Sequence, residues 1–298
     1  MTLTEAIKTE ALRIGFGACG IAKAEFMEKE ATWLKQWLEQ GNNANMHYIS
    51  NYFDKRTNPQ LLLEGAQSIV VVLLNYFPQQ QQTTQTPQIA KYAYGQDYHF
   101  VVKQKLRQLQ DFIQTHADHT STVFCDSAPL LERSLAQRAG LGWIGKSGLL
   151  IHPDMGSYTF IGEIITTLSL DYDTPQTNRC GICSACLEAC PTKALYAPYQ
   201  LNANRCISYL TIEHRDDISE DLKGMMGNRL FGCDACLDAC PWNKRAIANN
   251  TPELQPHPEL FTLDWKHFKR SDYNRLLKSS ALARVSYQKL RHRLNDLL

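Results

Sequence analysis

Eight of the ten cysteines lie between Cys180 and Cys240, and their spacing decides what this chain can be. Cys180, Cys183, Cys186 and Cys190 follow C-x2-C-x2-C-x3-C, with Pro191 next. Cys233, Cys236 and Cys240 repeat the end of that pattern before another proline, Pro241. Cys206 stands alone between the runs. Thiolates at this spacing hold paired [4Fe–4S] cubanes, the fourth cysteine of a run crossing to the other cluster. The crossing rule assigns Cys180, Cys183, Cys186 and Cys240 to one cluster. The other takes Cys190, Cys233 and Cys236 and needs one more thiolate, for which Cys206 is the obvious supplier. Disulfides need an oxidising compartment, and no secretory signal opens the sequence. Zinc prefers thiolates as two separated pairs, so a dense run of four before a proline fits it poorly. Plain core cysteines have no reason to keep these intervals. The spacing therefore implies a protein that moves electrons one at a time.

A length of 298 residues allows two domains or one large one, each with a proper core. Hydrophobic content of 44% and charged content of 20% describe a globular chain. No apolar run reaches the roughly 18 residues a membrane helix needs, so no membrane partner is expected. Oxygen-sensitive clusters without an export signal point to the cytoplasm. Trp265 to Leu298 holds nine Lys/Arg against two Asp/Glu, which leaves the rest of the chain at −6 within a total of +1. Such a tail is either a solvated helix face, the favoured reading on charge alone, or a grip on a polyanion.

Thr2 and Glu5 form a capping-box pattern before a helix to about Ile14, and a second helical pattern covers Glu28 to Glu39. Ser68 to Asn75 (SIVVVLLN) reads as a strand buried on both faces, so helices must cover the sheet. Gln79 to Gln88 is a polar, low-complexity loop, read as mobile. Val102, Leu106, Leu109 and Ile113 mark the buried stripe of the next helix. Ser121 to Asp126 reads as a strand, Pro129 as the opening of a helix that Gly140 closes, and Tyr158 to Leu170 as β-rich. The expected class is α+β. An alternating α/β unit over 1–170 precedes a ferredoxin-like two-cluster unit over 171–250 and a basic helical segment over 251–298.

Gly140 to Ser147 (GLGWIGKS) matches the phosphate-loop pattern letter for letter. That loop requires a strand before it and a helix after it, and here the order is reversed, so nucleotide hydrolysis is rejected. Its glycines, Gly142, Gly145 and Gly148, are expected instead to let backbone approach a flat ligand. Asp126 at a strand end can be a general acid if burial raises its pKa. On the residues alone, a cap for the helix at Pro129 is the favoured reading. Cys19 and Cys125 read as core, and His99 as a structural histidine.

Several long stretches, in order, resemble the epoxyqueuosine reductase family. They are DKRTNPQLLLEGAQSIVV from Asp54, YAYGQDYH from Tyr92, CDSAPLLERSLAQRAGLGWIGKSGLLIHPDMGS from Cys125, CISYLTIEH from Cys206 and GNRLFGCDACLDACPWN from Gly227. The resemblance covers about residues 1 to 250. It implies an oxidoreductase with a corrinoid-binding core like that of reductive dehalogenases, using cobalamin and two [4Fe–4S] clusters. The reaction implied is reduction of the epoxide of epoxyqueuosine at the wobble position of tRNA. Asp126 would be the proton donor. Arg56, Ala90, Asp126, Lys146, Ser147, Gly148, Leu150, Ile161, Ser208, Cys233 and Asp234 would meet the cobalamin. The partners implied are a tRNA anticodon loop and an external one-electron donor such as flavodoxin or ferredoxin, with the chain a monomer. Many family members continue into helical repeats after the cluster unit, and this sequence stops at Leu298, which bears on the tRNA footprint. Rival functions are reductive dehalogenation of a small halogenated substrate and simple ferredoxin-type electron transfer.

Overall fold

A computed structural model describes all 298 residues. Its first half contains α1 (Leu3–Ile14), β1 (Ala18–Lys23), α2 (Glu28–Glu39), α3 (Phe53–Thr57), β2 (Ser68–Asn75), β3 (Gln88–Ile89) and α4 (Tyr98–His116). There follow β4 (Ser121–Phe124), α5 (Glu132–Arg138), β5 (Trp143–Ile144), β6 (Leu150–Ile151) and β7 (Thr159–Thr166). The cysteine-rich part holds α6 (Ala185–Glu188), β8 (Leu195–Ala197), β9 (Gln200–Leu201), α7 (Ile207–Ile212), α8 (Glu220–Met226), β10 (Arg229–Phe231) and α9 (Ala235–Asp238). α10 (Arg270–Asp272) and α11 (Tyr287–Leu297) complete it.

The sheet has the order β1-β2-β7-β4. Helix and strand alternate along the chain, yet every pairing in this sheet is antiparallel. The double-sided burial expected of SIVVVLLN holds because β2 is a central strand with a layer on each face. Val70, Val72 and Leu74 join the core under α1 and α4, while Ile69, Val71 and Leu73 join the one under α5. Burying each such side chain contributes about 1.5–3 kcal/mol. Val102, Leu106, Leu109 and Ile113 on α4 are fully buried against the first face. A side chain at Gly162 of β7 would stand 2.7 Å from Val102 and 3.0 Å from Leu106, so glycine there lets α4 settle onto the sheet.

The cysteine-rich part does not fold apart from the rest. β10 pairs with β3, and Leu34 and Trp37 of α2 pack on Ile207 and Leu210 of α7. The tail forms a third core in which Trp265, Phe268, Tyr273 and Leu290 surround Ile89, Tyr94 and Phe231. It consists mostly of one-turn helices, because its apolar residues lack a sustained helical period until α11. The loop from Gln79, read as mobile, is tied down. Gln82 bonds the Ile89 amide at 2.9 Å, and Asn228 bonds the Thr84 and Thr86 carbonyls at 2.6 and 2.7 Å. No helix is long and apolar enough to cross a membrane.

Leu106→Ala removes a fully buried side chain between α4 and the sheet and should cost about 2–5 kcal/mol in chemical denaturation. Leu12→Ala, on the exposed side of α1, should change stability by less than about 0.5 kcal/mol.

Candidate active site and cluster centre

The eight cysteines of the motif separate in space into two groups. Cys180, Cys183, Cys186 and Cys240 line one cavity of about 190 Å³, with Trp242, Lys146 and Arg179 around them. Cys190 packs with Cys206 and Cys236 in a small apolar cluster that Cys186 of the first group also borders, and Cys206 packs with Cys233 in another. Each run places its middle cysteine on a single helical turn, α6 or α9, which contact one another. No three His, Cys, Asp or Glu side chains converge on a single-ion site. Burial pushes the Cys233 thiol up to about 11 and the Cys236 thiol well above its ordinary value. Thiolates here are therefore costly unless iron takes their charge, which couples metal loading to folding.

The GLGWIGKS stretch forms the β5–β6 hairpin, with no helix after it. A side chain at Gly142 would strike the Ile151 carbonyl, and one at Gly145 the Ile151 side chain, so these two glycines close the hairpin rather than receive a ligand. Gly148 differs: its φ is +77°, and a side chain there would meet only the Arg133 guanidinium, at 4.0 Å. Lys146 donates to the Gly181 and Cys183 carbonyls at 2.7 and 2.8 Å and so braces the first cysteine loop.

Asp126 lies two residues beyond β4 with φ +57°, a left-handed conformation unusual for a residue with a side chain. It does not cap a helix. α5 starts only at Glu132, because Pro129 sits in the turn before it. Asp126 Oδ2 instead accepts from the Tyr98 hydroxyl at 2.6 Å and meets His99 Nε2 at 3.2 Å. Tyr98 and His99 form the first turn of α4. Asp97 caps that helix through the His99 amide and also holds His99 Nδ1 at 2.6 Å. Tyr98 is fixed by stacking on Phe160, with centroids 4.2 Å apart. The Asp126 backbone amide donates to Glu132.

These contacts decide the charges. The bond to Asp126, and then the bond to Asp97, raise His99 to about 9. The bond from His99 holds Asp126 below the usual carboxylate range, against the burial that pushes it up. The sequence expectation of an acid raised by burial is thus reversed: the carboxyl is 56% exposed and hydrogen-bonded to two donors. Near neutrality the proton rests on His99, read from sequence as merely structural. Burial lifts Cys19 to about 12 and raises Cys125 as well, as suits core thiols.

The other residues singled out for a cofactor are spread around this centre. Arg56 is half-buried, and its Nε has no hydrogen-bond partner. Ala90, Cys233 and Asp234 line a cavity of about 220 Å³ with Gln81, Gln82 and Gln88. Asp234 is engaged by the Lys91 amide at 2.8 Å and its ammonium at 3.5 Å. Leu150 is buried in the core under α5, and Ile161 packs against the same core. Ser147 lines the first thiol cavity, and Ser208 lies on α7. Three residues escaped sequence reasoning. Asp97 gave only a capping signal. Glu163 hid inside a β-rich run. Arg284, paired with Glu213 at 2.6 Å, is brought by the tail to where its charge acts on Asp126.

Residues 179–243 match the family model described as 4Fe-4S double cluster binding domain, and residues 56–127 match Epoxyqueuosine reductase QueG, DUF1730. The chain is 43% identical to the epoxyqueuosine reductase of Cellulophaga algicola, over 99% of this chain and 97% of the relative. It superposes with a TM-score of 0.90, at 30% identity, on a crystal structure of epoxyqueuosine reductase with an epoxyqueuosine-modified tRNA stem loop, covering 99% of this chain and 80% of that one. A Bacillus subtilis epoxyqueuosine reductase, solved with a catalytic aspartate loop swung out of the active site, gives 0.88 at 30% identity with the same coverage. Full-length similarity of this kind, joined to a double-cluster match over the two thiol groups, leaves one conclusion: the chain belongs to the epoxyqueuosine reductase family.

Proposed function

We propose that this chain reduces the epoxide of epoxyqueuosine at the wobble position of tRNA, with Asp126 handing over the proton. Opening an epoxide to an alkene releases its oxygen as water and consumes two electrons and two protons. The observation that carries the reading is the Asp97–His99–Asp126 chain of contacts, ending in an exposed carboxyl. His99 keeps a proton through neutral pH, and Asp126 Oδ2 is the atom that passes it outward. Tyr98 orients the same oxygen. Each proton leaves from a site whose charge is balanced by two carboxylates, so His99 can be reloaded from solvent.

The residues fit a corrinoid. Arg56 has a buried, unpaired Nε that needs an acceptor, and Gly148 presents backbone without a side chain, with ordinary contact distance left to Arg133. Arg56, Ser147, Gly148 and Ile161 would hold the ring from the first half of the chain, with Ala90, Ser208, Cys233 and Asp234 on the cluster side. Lys146 and Leu150 belong to the same proposed contact set, although Lys146 is engaged by the first cysteine loop and Leu150 is buried in the core. When bound, cobalamin supplies cobalt redox chemistry at the epoxide carbons, fed one electron at a time. The proposed cluster ligands are Cys180, Cys183, Cys186 and Cys240 for one cubane and Cys190, Cys206, Cys233 and Cys236 for the other. A flavodoxin- or ferredoxin-like carrier in the cytoplasm would supply the electrons to a monomer.

The tail contributes to tRNA binding through only part of its charge. Lys266, Lys269 and Arg270 are exposed and make no ion pair. Arg293, one of the nine basic residues of the tail, is 7% exposed and turned toward Met226. Arg291 is spent on the Lys266 and Phe268 carbonyls.

Cys206→Ala should reduce iron from about eight to about four atoms per chain and spare the first cluster's spectrum. An unchanged iron content would remove Cys206 from the ligand set. Asp126→Asn should keep clusters and melting temperature and slow single-turnover epoxide reduction on a stem-loop by about 10²–10⁴-fold. Wild-type rates in that variant would end the role of Asp126. The proton held by His99 is lost as pH rises, so kcat/KM should fall through about pH 9, and His99→Gln should abolish that limb. The same raised pKa stabilises the fold fully below His99's ordinary value, and this contribution disappears as pH rises through about 9. Neutralising Lys266, Lys269 and Arg270 should weaken stem-loop binding and flatten its salt dependence by roughly 0.7–0.9 per lost phosphate contact. Arg293→Ala should cost stability and leave the salt slope alone.

A further inference from the structure

Behind Asp126 the central strand β7 carries a glutamate where the pattern calls for an apolar residue. Glu163 pairs in register with Val71 on one side and Phe124 on the other, facing α5. It is 0% exposed, and neither oxygen has a hydrogen-bond donor. The polar group in contact with it is another carboxyl, that of Glu132 at the start of α5. Glu132 in turn accepts the backbone amide of Asp126. The cations nearby are committed elsewhere. Arg133 donates to the Gly148 carbonyl, and His99 is held between Asp97 and Asp126. Arg56 acts on Glu132 only through its charge, while Cys125 and Asp126 add no donor toward Glu163.

Two buried carboxyls in contact cannot both ionise, and a neutral one becomes a donor to the other. Burial, then the charge of Glu132, raises Glu163 well above the carboxylate range. Burial, then the charge of Asp126, raises Glu132 to about 7. We propose that Glu163 is a positioning residue that shares one proton with Glu132, and that Glu132, so held, clamps the Asp126 backbone in its left-handed turn. The clamp explains how Asp126 keeps φ +57° without a glycine: its amide is tied from the sheet side while its carboxyl is tied to Tyr98 and His99. The consequence for turnover rests on Asp126 being the proton donor. The proton itself does not.

The sign of the pH effect follows from the raised values. Below the ordinary carboxylate range the pair is neutral in folded and unfolded chains alike. Above it, the folded chain must keep a proton that the unfolded chain gives up, so stability falls as pH rises until the pair ionises. The test uses the full chain with its clusters loaded. Wild type at pH 8 should show the infrared band of a protonated, buried carboxylic acid, shifted in D2O, and Glu163→Gln should lose it. Glu163→Gln should also show a smaller decline of melting temperature between pH 5 and pH 8 than wild type. Because Gln keeps a donor toward Glu132 and Leu of similar size does not, Glu163→Leu should reduce the epoxide about tenfold or more slowly than Glu163→Gln. A wild type without the band, a band that survives in Glu163→Gln, or equal rates in the two variants would overturn the proposal. If Asp126→Asn were fully active while the band behaved as described, the role of Asp126 would fall and the shared proton would stand.

Discussion

Iron–thiolate bonding is the constraint to which the rest of the chain is fitted. The two runs cannot form separate modules, because Cys190 sits with Cys206 and Cys236, while Cys240 sits with Cys180, Cys183 and Cys186. With the ligands proposed above, each cluster would tie together segments far apart in sequence. Little regular structure holds this part of the chain: α6 and α9 are single turns and β8–β9 is a minimal hairpin. Its order comes from metal on the inside and from other elements on the outside. Lys146 of the β5–β6 hairpin braces the first loop, and α2 buries Trp37 against it, donating to the Leu201 carbonyl at 2.7 Å. Thiols raised by burial stay protonated until metal displaces the proton, so loading these sites releases protons.

Charge placement around Asp126 follows from two layers with opposite logic. On the solvent side, His99 lies between two carboxylates, so the positive form is favoured and a proton is stored beside the exposed carboxyl of Asp126. On the sheet side, Glu132 and Glu163 have no cation committed to them, so one proton stays to keep them from repelling. Asp126 stands between the layers, its side chain bound to the first and its amide to the second. The backbone strain of a left-handed aspartate is sustained by this double attachment.

Much of this was legible in the sequence. The cysteine spacing announced a double-cluster unit, which the family match over residues 179–243 bears out, since ligand intervals are a covalent-scale constraint. The bounds of α1, α2 and β2 were readable because capping chemistry and apolar runs act locally. The antiparallel pairing of that strand was not, because a run buried on both faces looks the same in either sense. Asp126 as a cap failed for a related reason: its partners, Tyr98 and His99, come from a helix 27 and 28 residues away. Glu163 was invisible because one acid in an apolar strand reads as an exposed position, and only the α5 packing shows that it is enclosed.

The tail shows how misleading a net charge can be. Nine basic residues left two readings open, a solvated helix face or a grip on a polyanion. In the fold they do three different jobs. Arg275 and Arg293 hold the tail together, the former through Glu259 and Asp272, the latter through Met226 and the Arg229 carbonyl. Arg284, anchored by Glu213, brings positive charge toward Asp126 and helps keep it ionised. Lys266, Lys269 and Lys278 are exposed and unpaired, and Arg270 lies exposed over the Tyr287 ring, so these four face a phosphate backbone. Because the apolar side of the same segment wraps Ile89, Tyr94 and Phe231, the tail cannot leave without exposing the wall that carries Ala90 and Gly232. Its position is thus fixed by hydrophobic packing. The charges at its two ends, one reaching the active site and one facing solvent, are held at a set separation, which a disordered basic tail would not provide.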